Sequence, residues 1–263
     1  MTTTFNRLGL ANVTAYFAVV GIVLFLLLGT GLHAQDNDAH RVLPEIARGM
    51  EPVKLLYVDI PPFTHSVDGK PSGNFLQIAH DVLSEVGLYY EFSYLPATRL
   101  YAGLTSGAGH VFIGPRNGAG PEDGSVIMGT TALANVNIVV LRLAGTEARS
   151  FDKLLGTSLI TIQGYVYGGL VRELLQRGDL RVMGATNRDR ALLLLKIGRA
   201  PYLLGYEKPL NAAMAFHPEI DIAKTPVIKL PWVFVVSKKA PNPVKLLELL
   251  EKGLAQIQAR RAP

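Results

Sequence analysis

The chain has 263 residues, 49% of them hydrophobic and 18% charged, with a formal net charge of +5. That is enough apolar matter for a packed core in one large domain or two small ones, and too much for a disordered chain. The basic residues are scattered, with Lys238-Lys239 and Arg260-Arg261 the nearest to clusters, so no basic run marks a nucleic-acid binder, and the lack of cysteine excludes disulfides, thiol chemistry and cysteine metal sites.

Arg7 is the only charge before Asp36, an apolar run extends from Ala15 to Leu28, and small and polar residues follow. Residues 1–34 therefore predict a secretory signal peptide cleaved after Ala34. The alternative is an uncleaved anchor, because residues 15–32 approach the ~18–20 needed to span a bilayer. Either way the remainder is expected outside the cytoplasm. Residues 35–51 read as a polar, flexible leader.

"VKLLYVDI" (53–60) is a short apolar run ended by Pro61-Pro62, as for a buried strand entering a loop. Leu76, Ala79, Val82, Leu83 and Val86 recur at helical spacing, and Gly87 stops that helix. A strand over 88–95, a short helix over 97–107 and a strand over 109–115 follow, then a glycine-rich loop over 116–131 and a strong strand over 135–143. A second alternating block has strands at 157–163, 180–185 and 200–206 and helices at 165–176, 187–197 and 207–215. A late strand at 232–238 precedes a tail with Leu246, Leu247, Leu250, Leu254 and Ile257 on one helical face. Alternating strands and helices imply parallel pairing with crossover helices. The expectation is an α/β chain of two lobes joined by two crossing strands. The first lobe spans 52–138, the second 139–231, and a return strand and C-terminal helix over 232–263 rejoin the first.

No P-loop, zinc-type histidine spacing or G-x-S-x-G elbow occurs, and "GAGPEDG" lacks the setting of a dinucleotide fingerprint. No cofactor and no metal is expected. What remains are strand-end loops, where ligands of open α/β sheets bind. Phe63 follows Pro61-Pro62, which is either strand punctuation or a ligand-facing edge. Arg99 opposes the dipole of the helix it opens, which mildly favours a role. Gly114 and Arg116 lie beyond a strand, in an ordinary turn or an anion-holding loop. Tyr165 and Tyr167 open a helix after a strand, as packing or as a ligand wall. Tyr206 and Glu207 follow another strand end, where Glu207 meets a ligand amine or simply suits a helix start.

In order, "IPPF", "GNFLQIAHDVLSEVG", "LPATRLYAGLTSGAGHVFIGP", "FDKLLGTSLITIQGYVYGGLVRELL" and "ALLLLKIGRAPYLLGYEKPL" resemble the motifs of the family 3 extracytoplasmic solute-binding proteins, the polar amino-acid receptors of ABC transporters. The likeness covers roughly residues 52–258. It implies a two-lobed periplasmic protein that closes on a small polar or anionic, amino-acid-like solute, without catalysis, and hands it to an ABC permease or a membrane sensor. Against the family pattern, Asn74 and Gln77 stand where an aromatic and an acid are usual, and His110 stands for an aspartate. Glu122, Asp123 and Gly124 occupy the region of the carboxylate-clamping arginine. "GYVY" replaces a hydroxyl residue, and Tyr206 takes the place of the amine-binding acid. Arg99 or Arg116 is then the candidate substitute clamp. Two other readings fit the same scaffold. One is a periplasmic enzyme similar to cyclohexadienyl dehydratase, with Glu207 as its acid; the other is a receptor-like domain that binds a protein partner.

Overall fold

The computed structural model describes residues 51–117 and 124–261. The signal peptide, nearly all of the leader, and Glu122 and Asp123 lie outside the described residues. No helix among the described residues is long and apolar enough to cross a membrane.

Strand β1 (Val53–Tyr57) leads into a loop with a cis Pro61-Pro62 bond, then a small hairpin, β2 (His65–Val67) and β3 (Lys70–Ser72). Helix α1 (Asn74–Glu85) buries Phe75, Leu76, Ala79, Val82 and Leu83 on one stripe. It starts behind Gly73, whose φ of 118° and contact with the Phe63 backbone leave no room for a side chain. Strand β4 (Tyr90–Tyr94), a 3-10 turn (Ala97–Arg99), helix α2 (Leu100–Ser106) and strand β5 (Val111–Pro115) complete the first alternating block. Then come β6 (Val126–Met128) and the long β7 (Ala134–Leu143). The second block is β8 (Ser158–Ile162), a 3-10 turn (Tyr167–Gly169), α3 (Leu170–Arg177), β9 (Arg181–Ala185), α4 (Arg188–Lys196), β10 (Tyr202–Tyr206) and α5 (Glu207–Met214). Strand β11 (Ile222–Ser237) and helix α6 (Pro243–Arg261) end the chain.

One mixed sheet carries both blocks, in the order β4-β1-β5-β11-β7-β10-β8-β9, with β6 on β11. β4, β1 and β5 run parallel in the first lobe, and β10, β8 and β9 run parallel in the second. Between them, β7 and β11 pair antiparallel from Ile222↔Leu143 to Trp232↔Ala134. Past Trp232, β11 changes partner and pairs with β5 through Trp232↔Pro115 to Val236↔Val111. The architecture is the expected two-lobed α/β arrangement with two crossing strands.

The returning strand begins at Ile222, ten residues before the expected start at Trp232. Its first half, "IAKTPVIKLP", holds two lysines and two prolines and lacks a continuous apolar run. Its side opposite β7 has no strand neighbour before Trp232 among the described residues, so a missing proline N–H breaks no ladder there. The β2–β3 hairpin and β6 were also hidden, inside segments whose turn residues read only as loop.

The larger core fills the first lobe beneath α1 and α6 and continues through the crossing strands to Leu159 and Leu204. A second core packs Leu141, Ile160, Ile162 and Leu203 against α4 and α5. Helix α6 is fastened to α1 by its buried Leu246, Leu250, Leu254 and Ile257 and by Arg260–Glu85 and Arg261–Asp81 ion pairs, each at 2.6 Å. Exposed pairs of this kind are worth at most about 1 kcal/mol. The leucine face therefore carries the attachment, and Leu250→Ala is expected to lower stability by about 2–5 kcal/mol in urea denaturation.

Candidate functional site

The loops that leave β1, β4, β8 and β9 converge where the lobes face each other. At the floor of this cleft, aromatic rings form an unbroken chain. Phe63 stacks on Phe75 with centroids 4.8 Å apart, and both lean on Trp232, at 5.8 and 5.3 Å. Trp232 meets Tyr206 edge-on at 5.2 Å. Tyr206 lies 5.3 Å from Tyr167 and 5.5 Å from Tyr165. The chain thus runs from α1 of the first lobe, over the crossing strand, to the second lobe.

Below the cleft mouth is a cavity of about 20 Å³, lined by Val58, Tyr101, Phe112, Tyr165, Tyr206 and Trp232 among others. None of its lining residues carries a formal charge. Outside it a polar cleft of about 310 Å³ is lined by Asp59, Tyr94 and Thr98 from the first lobe, and by Gln163, Asn187 and Arg188 from the second. Tyr165 and Ala97 border both spaces.

Two contacts draw the walls together. Gly164 has φ of 80°, and a Cβ there would sit 2.6 Å from Ala97 C and Thr98 N, so the main chains of the two lobes touch at a spot only glycine permits. Arg188 then reaches across the cleft. Its Nη1 donates to the Asp59 carbonyl at 2.9 Å and to Tyr165 Oη at 3.0 Å, and its Nη2 to Asp59 Oδ2 at 3.0 Å. Tyr165 Oη donates in turn to the Asp59 carbonyl at 3.2 Å. The Arg188 side chain is 14% exposed and that of Asp59 52%. Burial pushes the Tyr165 phenol up to about 12, with Arg188 pulling the other way, and burial raises Tyr101, Tyr167 and Tyr206 as well. All four phenols stay protonated at ordinary pH.

Solved structures share this architecture. An ancestral arginine-binding protein bound to arginine matches with a TM-score of 0.65 at 19% identity, covering 79% of this chain and 92% of its own. The substrate-binding protein of an amino acid ABC transporter matches at 0.64 and 15%, covering 80% and 93%. A histidine kinase sensor domain with similarity to periplasmic binding proteins matches at 0.67 and 18%, covering 85% and 92%. The chain has the fold of the periplasmic binding proteins. No protein-family model and no curated protein matches it. Identities this low carry the fold and leave the ligand to be argued from the cleft itself.

Of the residues expected from the sequence, Tyr165 lines both spaces and Tyr206 the inner one. Phe63 and Tyr167 are buried in the aromatic chain, where Tyr167 Oη accepts the Ile162 N–H at 2.9 Å. Gly114 is an interior residue of β5, paired with Val233. Arg99 is exposed at the end of its 3-10 turn. Arg116 is exposed beside the crossing, its backbone N–H bonded to Pro231 O at 2.9 Å and its Nη1 reaching Thr130 O at 3.5 Å. Neither arginine lines either space, and nor does Glu207. Glu207 accepts from Asn137 at 2.8 Å and pairs with Lys224 at 3.3 Å. The Asn137 hydrogen bond, helped by Lys224 and opposed by partial burial, holds its carboxyl below the ordinary carboxylate range. A general acid needs the opposite shift.

Sequence reading missed Asp59, Tyr101, Gln163, Arg188 and Trp232. The signal for Asp59, Gln163 and Arg188 was available, because each lies at or just past a strand end, as the chosen residues do. Tyr101 sits inside a short helix and Trp232 inside a strand, positions that read as core.

Arg188→Met is expected to cost about 1–3 kcal/mol, because it removes charge-assisted bonds to the Asp59 carbonyl and the Tyr165 hydroxyl. Asp59→Ala should cost under about 1 kcal/mol, since it spares the carbonyl contact and removes a half-exposed carboxylate. Chemical denaturation of the two variants measures the difference. Gly164→Val should hold the lobes apart, read as a larger radius of gyration in solution scattering.

Proposed function

We propose that this protein is a periplasmic solute-binding protein, which captures a small polar or anionic solute between its lobes and presents it to an ABC permease or a membrane sensor. The observation that carries this reading is the polar cleft of about 310 Å³ whose two walls come from different lobes joined by two crossing strands. A site divided in this way forms only when the lobes approach, so binding couples to closure. Its volume suits a solute of amino-acid size. The named neighbours support the role, as receptors for small solutes and as a sensor domain. The apolar N-terminal run supports export, with the signal peptide cut after Ala34.

Within the cleft, Arg188 takes the place proposed at first for Arg99 or Arg116. Its guanidinium faces Asp59, so a solute anion competes with that carboxylate for the same donors. The lowered Glu207 pKa favours binding over the dehydratase reading.

The test is isothermal titration of the mature protein with a panel of amino acids, amines and organic acids. Binding of at least one solute is expected, with a rise in melting temperature that grows with its concentration. Arg188→Met should weaken an anionic solute by about tenfold or more. A panel with no binder would overturn the proposal.

A further inference from the structure

The liners of the outer cleft with a formal charge are Asp59 from the first lobe and Arg188 from the second, and they meet each other. Asp59 follows β1 and Arg188 opens α4, so their bridge spans the line along which the lobes part. Within the bridge the Asp59 carboxylate is a separable piece. Arg188 Nη1 serves the Asp59 main-chain carbonyl at 2.9 Å and Tyr165 Oη at 3.0 Å, whereas the carboxylate supplies the single contact of Oδ2 with Nη2 at 3.0 Å. A turn of the Asp59 side chain would break the last contact and spare the other two.

The two partners differ in what release costs. The Asp59 side chain is 52% exposed, so water meets its carboxylate as soon as it turns away. The Arg188 side chain is 14% exposed, and a guanidinium so far out of water loses more when its charged acceptor is taken. Exchange at this bridge therefore has a preferred direction: Arg188 stays, and its carboxylate partner is replaced. The contacts among the described residues engage both Nη1 hydrogens and one on Nη2, which leaves Nε–H and the other Nη2–H for a second oxygen. An incoming carboxylate that uses both its oxygens makes two bonds where Asp59 makes one.

We propose that Asp59 is a resident stand-in for the anionic group of the solute: it occupies Arg188 and latches the lobes together until a solute carboxylate takes its place. This rests on reading the cleft as a solute site and adds how that site is regulated. A neutral solute cannot replace the carboxylate. A cation that draws Asp59 away leaves the guanidinium unpaired, so the latch selects solutes that carry an anion. The effect of removing Asp59 separates exchange from an ordinary closing contact. A bridge that persisted around the bound solute would make loss of Asp59 weaken binding, whereas exchange makes the same loss tighten it, because a competitor is gone.

The chain has no cysteine, so Arg99→Cys and Arg190→Cys place one spin label on each lobe, both at exposed residues outside the bridge. Pulsed electron resonance measures the distance between labels without solute, in this background and with Asp59→Ala added. Calorimetry follows acetate, succinate, citrate and benzoate, acids without a cationic group, together with a panel of amino acids, on the unlabelled wild type and variants. Asp59→Ala is expected to add a population at longer distance and to bind the acids about three- to fivefold more tightly than the wild type. Arg188→Met should show the longer distance and lose affinity for the same acids. Asp59→Asn keeps the shape and an acceptor oxygen without the charge, and should move both readouts in the direction of Asp59→Ala by a smaller amount. It decides the question should the alanine variant fold poorly.

An unchanged distance distribution in the Asp59 variants overturns the latch, and equal or weaker binding of the acids by them overturns the exchange. Binding of amino acids with no simple acid bound by any of the proteins also overturns the exchange. In each of these cases a compound that binds the wild type leaves the solute-binding role standing. Silence from every compound removes both.

Discussion

The antiparallel pairing of β7 with β11 is the constraint on which the rest of this molecule depends. It is the seam through which one sheet serves two lobes, and β11 changes partner at Trp232, from β7 on one side of that residue to β5 on the other. A strand that must satisfy two different neighbours in succession has little freedom of register, because slipping by one residue would invert every side chain along it. Trp232, buried at that switch, touches Phe63 and Phe75 of the first lobe and Tyr206 of the second. Ring contacts of this type add about 0.5–1.5 kcal/mol each beyond the area they bury. The aromatic chain therefore ties the seam to residues on both sides of it.

The cleft is held by contacts of unequal worth. The approach of Gly164 to the Ala97–Thr98 backbone is steric, and it sets how near the lobes come. The Arg188 bridge is electrostatic, and its carboxylate partner is half exposed, so the ion pair itself is worth at most about 1 kcal/mol. The bonds to the Asp59 carbonyl and the Tyr165 hydroxyl add more, because the guanidinium that makes them is largely buried. Beside the bridge the smaller cavity is lined by uncharged, largely aromatic and aliphatic residues.

Much of the scaffold was legible in the chain. Helix α1 was visible in the spacing of Leu76, Ala79, Val82 and Leu83, since burial against a sheet demands one apolar stripe. Strands β1, β5, β8 and β10 were visible as short apolar runs, because strands covered on both faces carry no alternation. The first half of β11 was not, as its lysines and prolines are tolerated only beside an open edge. Tyr165 and Tyr206, chosen by the strand-end rule, line the cavities, and the same rule, applied more evenly, reaches Asp59, Gln163 and Arg188. Arg99, Arg116 and Glu207 were chosen for their charge. The tertiary structure gives them other neighbours: solvent for Arg99, Thr130 for Arg116, and Asn137 with Lys224 for Glu207.

The division follows from the range of the forces involved. Periodicity, turn residues and helix stops act within about ten residues, so the chain alone determined the alternation of strands and helices and with it the two α/β blocks. Which strand-end loops share a wall depends on pairings between residues more than a hundred apart, as when Arg188 meets Asp59 and Trp232 meets Pro115. Only the tertiary structure could decide that Tyr101 and Trp232 line one cavity, because neither residue differs in sequence from an ordinary core aromatic.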